Sequence, residues 1–232
     1  MFQKRFSGKI KDVRDSVIAI CFSPTPGQIA IIGSGFCISD GGKILTAAHV
    51  YNQTPPEFQS KLLGMVMNKR ESDGLEHYIW LPLKLIRKDD ANDIALFELS
   101  DYKKTLLHPL ELEDSEKVEA GNDVYFIGFP YAANLMSEGF GVTLVVNRGI
   151  ISNVKQDGVD PAHPKNWFIV DAINNPGNSG CPLIDAESNK VIGIMNVAFR
   201  TKSQTVPNLD IREPMHIGGA KPINLAKSLL KK

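Results

Sequence analysis

The sequence predicts an all-β protein made of two antiparallel β-barrels, of about six strands each, with a short α-helix at the C-terminal end. Two features point there. The apolar runs are short, dense, rich in Val, Ile and Phe, and bounded by Gly, Pro or Asp, which favours antiparallel strands over alternating helix and strand. A polar stretch over residues 100–117 reads as a linker and divides the runs into two groups. The division predicts one barrel within residues 1–110 and a second within 111–232, together forming one functional unit.

In the first group the strand-like runs are 16–22, 29–38, 43–46, 61–66, 78–86 and 94–99. Asp40-Gly41-Gly42 joins the second and third as a hairpin. In the second group they are 123–128, 140–146, 149–154, 167–172, 182–184, 191–199 and 215–220. Residues 223–230 then place apolar side chains at helical spacing among good helix formers, so an amphipathic helix packed on the second barrel is expected.

With 232 residues, 43% hydrophobic and 22% charged, the chain has an ordinary globular composition, long enough for one large domain or two small ones. Its formal net charge is zero, which argues against a nucleic acid or an anionic membrane as the main partner. Residues 1–12 are charged and lack an apolar core of signal-peptide length, and no later segment approaches a membrane span. The three cysteines, Cys21, Cys37 and Cys181, cannot all pair, and free thiols fit a reducing compartment. The expected location is therefore cytoplasmic. No His, Cys or acidic residues fall at metal-ligand spacing, so neither a metal nor a cofactor is expected.

The chemistry concentrates in Asn174-Asn175-Pro176-Gly177-Asn178-Ser179-Gly180-Cys181-Pro182-Leu183, a loop between apolar runs. Gly177 and Gly180 remove side chains where the backbone must bend and where a carbonyl must come close. The loop can present a hydroxyl and several N–H groups together, as acyl transfer needs of a nucleophile beside an oxyanion hole. Turn chemistry alone would also produce such a stretch.

A serine hydroxyl needs a base. Among five histidines, His77, His108, His163 and His216 lie in stretches that read as loops or strand edges, and they are expected to be ordinary surface residues. His49 ends the hairpin that begins at Gly33-Ser34-Gly35-Phe36, after Thr46-Ala47-Ala48, whose alanines leave room for an imidazole. A histidine in that role needs a carboxylate to hold its tautomer. Asp93 directly precedes the apolar run 94–99 and meets that need, whereas Asp89 and Asp90 sit in a charged, solvated turn.

Thr46-Ala47-Ala48-His49, Asp93-Ile94-Ala95-Leu96 and Gly177-Asn178-Ser179-Gly180, in that order, resemble the three signatures of trypsin-like, chymotrypsin-fold serine proteases. The likeness is nearest to the bacterial Htr/Deg subgroup, through Gly33-Ser34-Gly35-Phe36, residues 171–180 and Ala220-Lys221-Pro222-Ile223-Asn224. The resemblance implies one peptidase domain of two barrels, with His49 and Asp93 from the first and Ser179 from the second. It implies a catalytic triad of His49, Asp93 and Ser179, an oxyanion hole at Gly177, Asn178 and Ser179, and a polypeptide substrate. It also places Ile173 at the floor of the primary specificity pocket and Asn196, Val197 and Ala198 along its wall.

No carboxylate stands at that floor, so small or medium apolar residues are expected before the scissile bond. Asn178 occupies the position of an Asp that digestive relatives pair with a newly cleaved N-terminus, so no activating cleavage is expected. Trimers are common among Htr-like proteases, and by that resemblance alone a homo-oligomer is expected. No PDZ domain is expected. Two other readings share the fold: a latent or non-proteolytic protein-binding module, and an esterase.

Overall fold

The computed structural model describes residues 5–156, 166–203 and 211–231. His163 and residues 1–4, read above, lie outside the described residues. In chain order the elements are α1 (Phe6–Val13), β1 (Val17–Phe22), β2 (Ala30–Cys37), β3 (Lys43–Thr46), α2 (Ala48–Asn52), α3 (Pro56–Gln59), β4 (Leu63–Arg70), β5 (Glu76–Asp89) and β6 (Ile94–Leu99). They continue with β7 (Asp123–Gly128), α4 (Ala132–Ser137), β8 (Val145–Lys155), β9 (Trp167–Val170), β10 (Pro182–Asp185), β11 (Val191–Lys202), β12 (Arg212–Pro222) and α5 (Lys227–Leu230).

The strands close into two six-stranded antiparallel barrels, β1-β2-β3-β6-β5-β4 and β7-β8-β9-β12-β11-β10, so the second repeats the strand order of the first. This bears out the two-barrel expectation. Each barrel fills with its own apolar side chains, Ile18, Ile44 and Phe97 in the first and Phe126, Phe168 and Leu183 in the second. A third cluster joins the barrels, bringing Phe36, Leu45 and Leu96 against Tyr125, Ile127 and Ile194. That shared core fixes where a residue at the end of β3 stands relative to one ahead of β10.

Several elements differ from the sequence reading. The runs 140–146 and 149–154 are not two strands. Hydrogen bonding to β7 continues through Gly149, from Gly128↔Val145 to Asp123↔Ile150, so one strand spans the break and residues 140–144 lie outside it. The expected linker is anchored: Leu110 is buried and its N–H donates to Cys37 O at 2.9 Å. Residues 223–226 form a 3-10 turn against β11, but α5 then reaches β5 and β6 of the first barrel, where Arg87 donates to Leu229 O at 3.4 Å. The expected packing on the second barrel thus holds for residues 223–226, while α5 itself lies against the first.

The sequence reading assigned nothing to α1. Phe6 packs edge-on to Tyr125, and the Lys9 ammonium donates to Ala186 O at 2.5 Å and Glu187 O at 2.8 Å, all on the second barrel. Beyond the helix, Arg14 and Asp15 pair with Glu76 and Arg70 on the first.

Phe36 is fully buried in the core shared by the barrels. Phe36→Ala is expected to lower stability by about 3–5 kcal/mol, measured as a fall in the urea midpoint.

Candidate active site

The loop between β9 and β10 has the backbone that its glycines foretold. Gly177 and Gly180 have φ of 99° and 87°, in the left-handed region that favours glycine. At Gly180 a Cβ would stand 2.0 Å from Thr46 Oγ1 and 2.2 Å from Ser34 O, so its absence also lets the loop sit on the first barrel. The Asn178 N–H donates to Asn175 O at 3.0 Å, and the Cys181 N–H to Asn178 O at 2.9 Å, which closes the turn around Ser179. Among the described residues no acceptor is found for the N–H groups of Gly177 and Ser179. Those two donors are available to a ligand, whereas that of Asn178 is already engaged.

Ser34 of β2 holds this loop in place. Its hydroxyl donates to Gly177 O at 2.7 Å and accepts from the Phe129 N–H at 3.0 Å, and its own N–H donates to Ser179 O at 2.8 Å. Thr46, three residues before His49, donates in turn to Ser34 O at 2.7 Å. Sequence reasoning named Ser34 only as part of a glycine-flanked motif. A polar residue between glycines within an apolar strand is the signal that could have exposed its role.

His49 lies in the first turn of α2, behind the fully buried Ala47 and Ala48. Its Nδ1 stands 2.7 Å from Asp93 Oδ2, and its backbone N–H donates to Asp93 Oδ1 at 2.7 Å. Asp93 has φ of 53°, a conformation that a non-glycine residue keeps only when its surroundings impose it. They do: the Asn196 amide donates to Asp93 O and to Oδ2, both at 2.8 Å. Burial works against a charge on Asp93, but hydrogen bonds from the His49 and Asn196 side chains and the His49 backbone outweigh it and hold the carboxyl below its ordinary range. An ionised Asp93 makes Nδ1 the protonated ring nitrogen and leaves Nε2 as the acceptor.

The Ser179 hydroxyl donates to Asn196 O at 3.3 Å rather than to His49. Asn196 thus touches both Asp93 and Ser179, and its buried side chain faces Asp93 rather than a pocket wall. Ile173, Val197 and Ala198 are half-buried nearby, with Val197 and Ala198 paired to Gly219 and Gly218 of β12. Among the described residues, four of the seven buried polar side-chain atoms left without partners belong to Asn174, Asn178 and Asn196, so unmet hydrogen bonding gathers around Ser179.

His77, His108 and His216 are exposed. Asp90 is exposed beside Lys88, and Asp89 caps Asn92. Among the described residues no group of His, Cys, Asp or Glu could hold a metal ion, and no helix is long and apolar enough to cross a membrane.

Residues 33–194 match a family model described as a trypsin-like peptidase domain. The chain belongs to that family. Among curated trypsin-like relatives, it is 31% identical over 229 residues to a "Probable periplasmic serine endoprotease DegP-like" of Buchnera aphidicola subsp. Baizongia pistaciae, covering 98% of this chain and 41% of that protein. It is 29% identical over 199 residues to "Periplasmic pH-dependent serine endoprotease DegQ" of Escherichia coli, covering 85% of this chain and 36% of that one. The chain therefore spans less than half the length of either.

Two solved structures share the trypsin-like fold. "HtrA-type protease AlgW with decapeptide" superposes with a TM-score of 0.69 at 22% identity, over 97% of this chain and 66% of that one. "Crystal structure of Deg5" gives 0.67 at 21%, over 95% and 89%.

The periplasmic names of the relatives overturn the expected cytoplasmic location. The free thiols on which that expectation partly rested have a geometric cause. Cys21 and Cys37 lie toward opposite ends of the β1–β2 ladder and Cys181 in the other barrel, and all three are buried. Their separation in the fold keeps them unpaired, and burial pushes Cys37 up to about 11 and Cys21 to about 12.

Ser34→Ala leaves Gly177 O and the Phe129 N–H without their partner, and a loss of about 1–3 kcal/mol in urea unfolding is expected. The Asp93 contribution to stability is fully present above its unfolded value of 3.8 and is lost as pH falls through the lower folded value. The urea midpoint of Asp93→Asn is therefore expected to fall less between pH 6 and pH 3 than that of the wild type.

Proposed function

We propose that this chain is a serine endopeptidase acting through an acyl-enzyme. The observation that carries the reading is the His49–Asp93 pair set beside a loop whose Gly177 and Ser179 N–H groups have no acceptor among the described residues. For reaction, the Ser179 hydroxyl turns from Asn196 O to His49 Nε2. His49 takes its proton as Oγ bonds to the peptide carbonyl carbon, and the two free N–H groups receive the oxyanion. Collapse of the tetrahedral intermediate breaks the C–N bond, and His49 passes the proton to the leaving amine. Water then repeats the sequence on the acyl-enzyme. Asp93 keeps Nδ1 protonated and stabilises the imidazolium.

Ile173 at the pocket floor, with Val197 and Ala198 beside it, supports small or medium apolar residues before the scissile bond. Asn196 contributes through its backbone. Asn178, being neutral, supports activity without an activating cleavage. The names of the relatives support a periplasmic setting and a polypeptide substrate.

The Ser179–Asn196 hydrogen bond favours a second reading, a resting form in which the nucleophile is not yet engaged. Labelling by a fluorophosphonate and cleavage of an unfolded protein, both absent in Ser179→Ala, are the expected results. Folded wild-type protein that is neither labelled nor active would support the resting form. Asp93→Asn should lower kcat by about 10⁴-fold. A peptide-library profile dominated by Arg or Lys would overturn the pocket assignment.

A further inference from the structure

β10 pairs with β11 only as far as Ile194, whereas β12 follows β11 to its end at Lys202. Residues 197–202 therefore have β12 along one edge and, among the described residues, no strand along the other. That open edge begins at the nucleophile, since Asn196 O accepts the Ser179 hydroxyl at 3.3 Å. A strand rises roughly 3.3 Å per residue, so Arg200 and Lys202 stand about 13 and 20 Å along β11 from Asn196.

This end of the β11–β12 pair is charged on one face. Residues opposite each other in an antiparallel pair share a face, as do residues two apart on one strand. The pairs Arg200↔Pro214, Thr201↔Glu213 and Lys202↔Arg212 thus gather Arg200, Lys202 and Arg212 on one face, all three exposed. Glu213, the only acidic residue within 200–203 and 211–214, lies on the other face, where it accepts from Ser203 Oγ at 2.5 Å. None of the three cations has an ion pair among the described residues. Like charges directly opposite each other repel, so Lys202 and Arg212 form a destabilising pair that a bound anion would relieve.

The open edge and the unpaired cations together identify the occupant as an acidic stretch of polypeptide. A chain laid antiparallel on β11 pairs residue for residue, so with the residue before the scissile bond at Asn196, about the fifth faces Arg200 and the seventh Lys202. Resting on the proteolytic reading above, we propose that Arg200, Lys202 and Arg212 form a cationic extension of the substrate edge that selects acidic residues about four to seven positions before the scissile bond. Arg200 and Lys202 meet the added strand directly, while Arg212, one strand further out, adds to the field. This selection is separate from the pocket at Ile173, which reads the residue next to the bond.

The test compares two internally quenched peptides that are identical except at the fourth to seventh residues before the bond, all Glu in one and all Gln in the other. A tripeptidyl anilide, too short to reach those positions, reports the chemistry alone. Wild type is expected to favour the Glu peptide by about fivefold in kcat/KM, the scale of one good exposed ion pair or two weaker ones. That preference should fade between about 20 mM and about 0.5 M salt, as screening requires. The double variant Arg200→Gln/Lys202→Gln is expected to cleave both peptides equally, and Arg200→Glu/Lys202→Glu to favour the Gln peptide, with the urea midpoint unchanged in each. No preference in the wild type, or one that survives in the double variant, overturns the proposal. So does binding to phosphatidylglycerol vesicles that is lost in the double variant while the peptide preference is absent, which would assign the face to a membrane surface. Failure of the wild type to cleave the anilide or to label with fluorophosphonate is a different result, since it removes the proteolytic reading itself.

Discussion

The geometry of the site depends on one buried hydroxyl. Ser34 belongs to the first barrel, yet through its side chain and backbone it holds Gly177 O, Ser179 O and the Phe129 N–H of the second. Ser179 and His49 come from different barrels, and without Ser34 their separation would rest on apolar packing and the Asn196–Asp93 hydrogen bonds. Apolar contacts are non-directional, and a packed core sets position less sharply than a hydrogen bond sets orientation. Through Thr46 the same residue is tied to the strand that ends at His49. The turn bearing Ser179 and the strand leading to His49 thus share a single reference point.

Asn196 performs the complementary task from the second barrel. Its amide reaches across to Asp93, and its carbonyl accepts the Ser179 hydroxyl. Between them, Ser34 and Asn196 form a loop of contacts that passes through both barrels and returns. Among the described residues, amide atoms of Asn174, Asn178 and Asn196 are left without partners. They show a region where packing has been satisfied and hydrogen bonding has not, which is the usual condition of a surface prepared for a polar ligand.

Much of this was legible in the sequence, for a physical reason. Strand runs such as 43–46, 94–99 and 123–128 are set by local apolar pattern and bounding turns, and the structure keeps those boundaries. Gly177 and Gly180 were readable because positive φ is a local demand. Ser34 and Asn196 were not, since what matters about each is a partner some 95–145 residues away. The helix at Phe6–Val13 was missed for a related reason: its Lys9 is buried against two carbonyls of the other barrel, and nothing in the local pattern announces that. The same blindness hid the contacts of α5 with the first barrel.

Each of those two helices reaches the opposite barrel. The segment before the first barrel grips the second through Phe6 and Lys9, and the segment after the second barrel reaches back to β5 and β6 of the first. Cutting the chain between the barrels would not yield two self-sufficient halves. Each fragment would carry away the clasp of the other and leave its own barrel with an uncovered apolar patch. Halves of this design are suited to reassembly from separate chains, because each recovers its missing cover only from its counterpart.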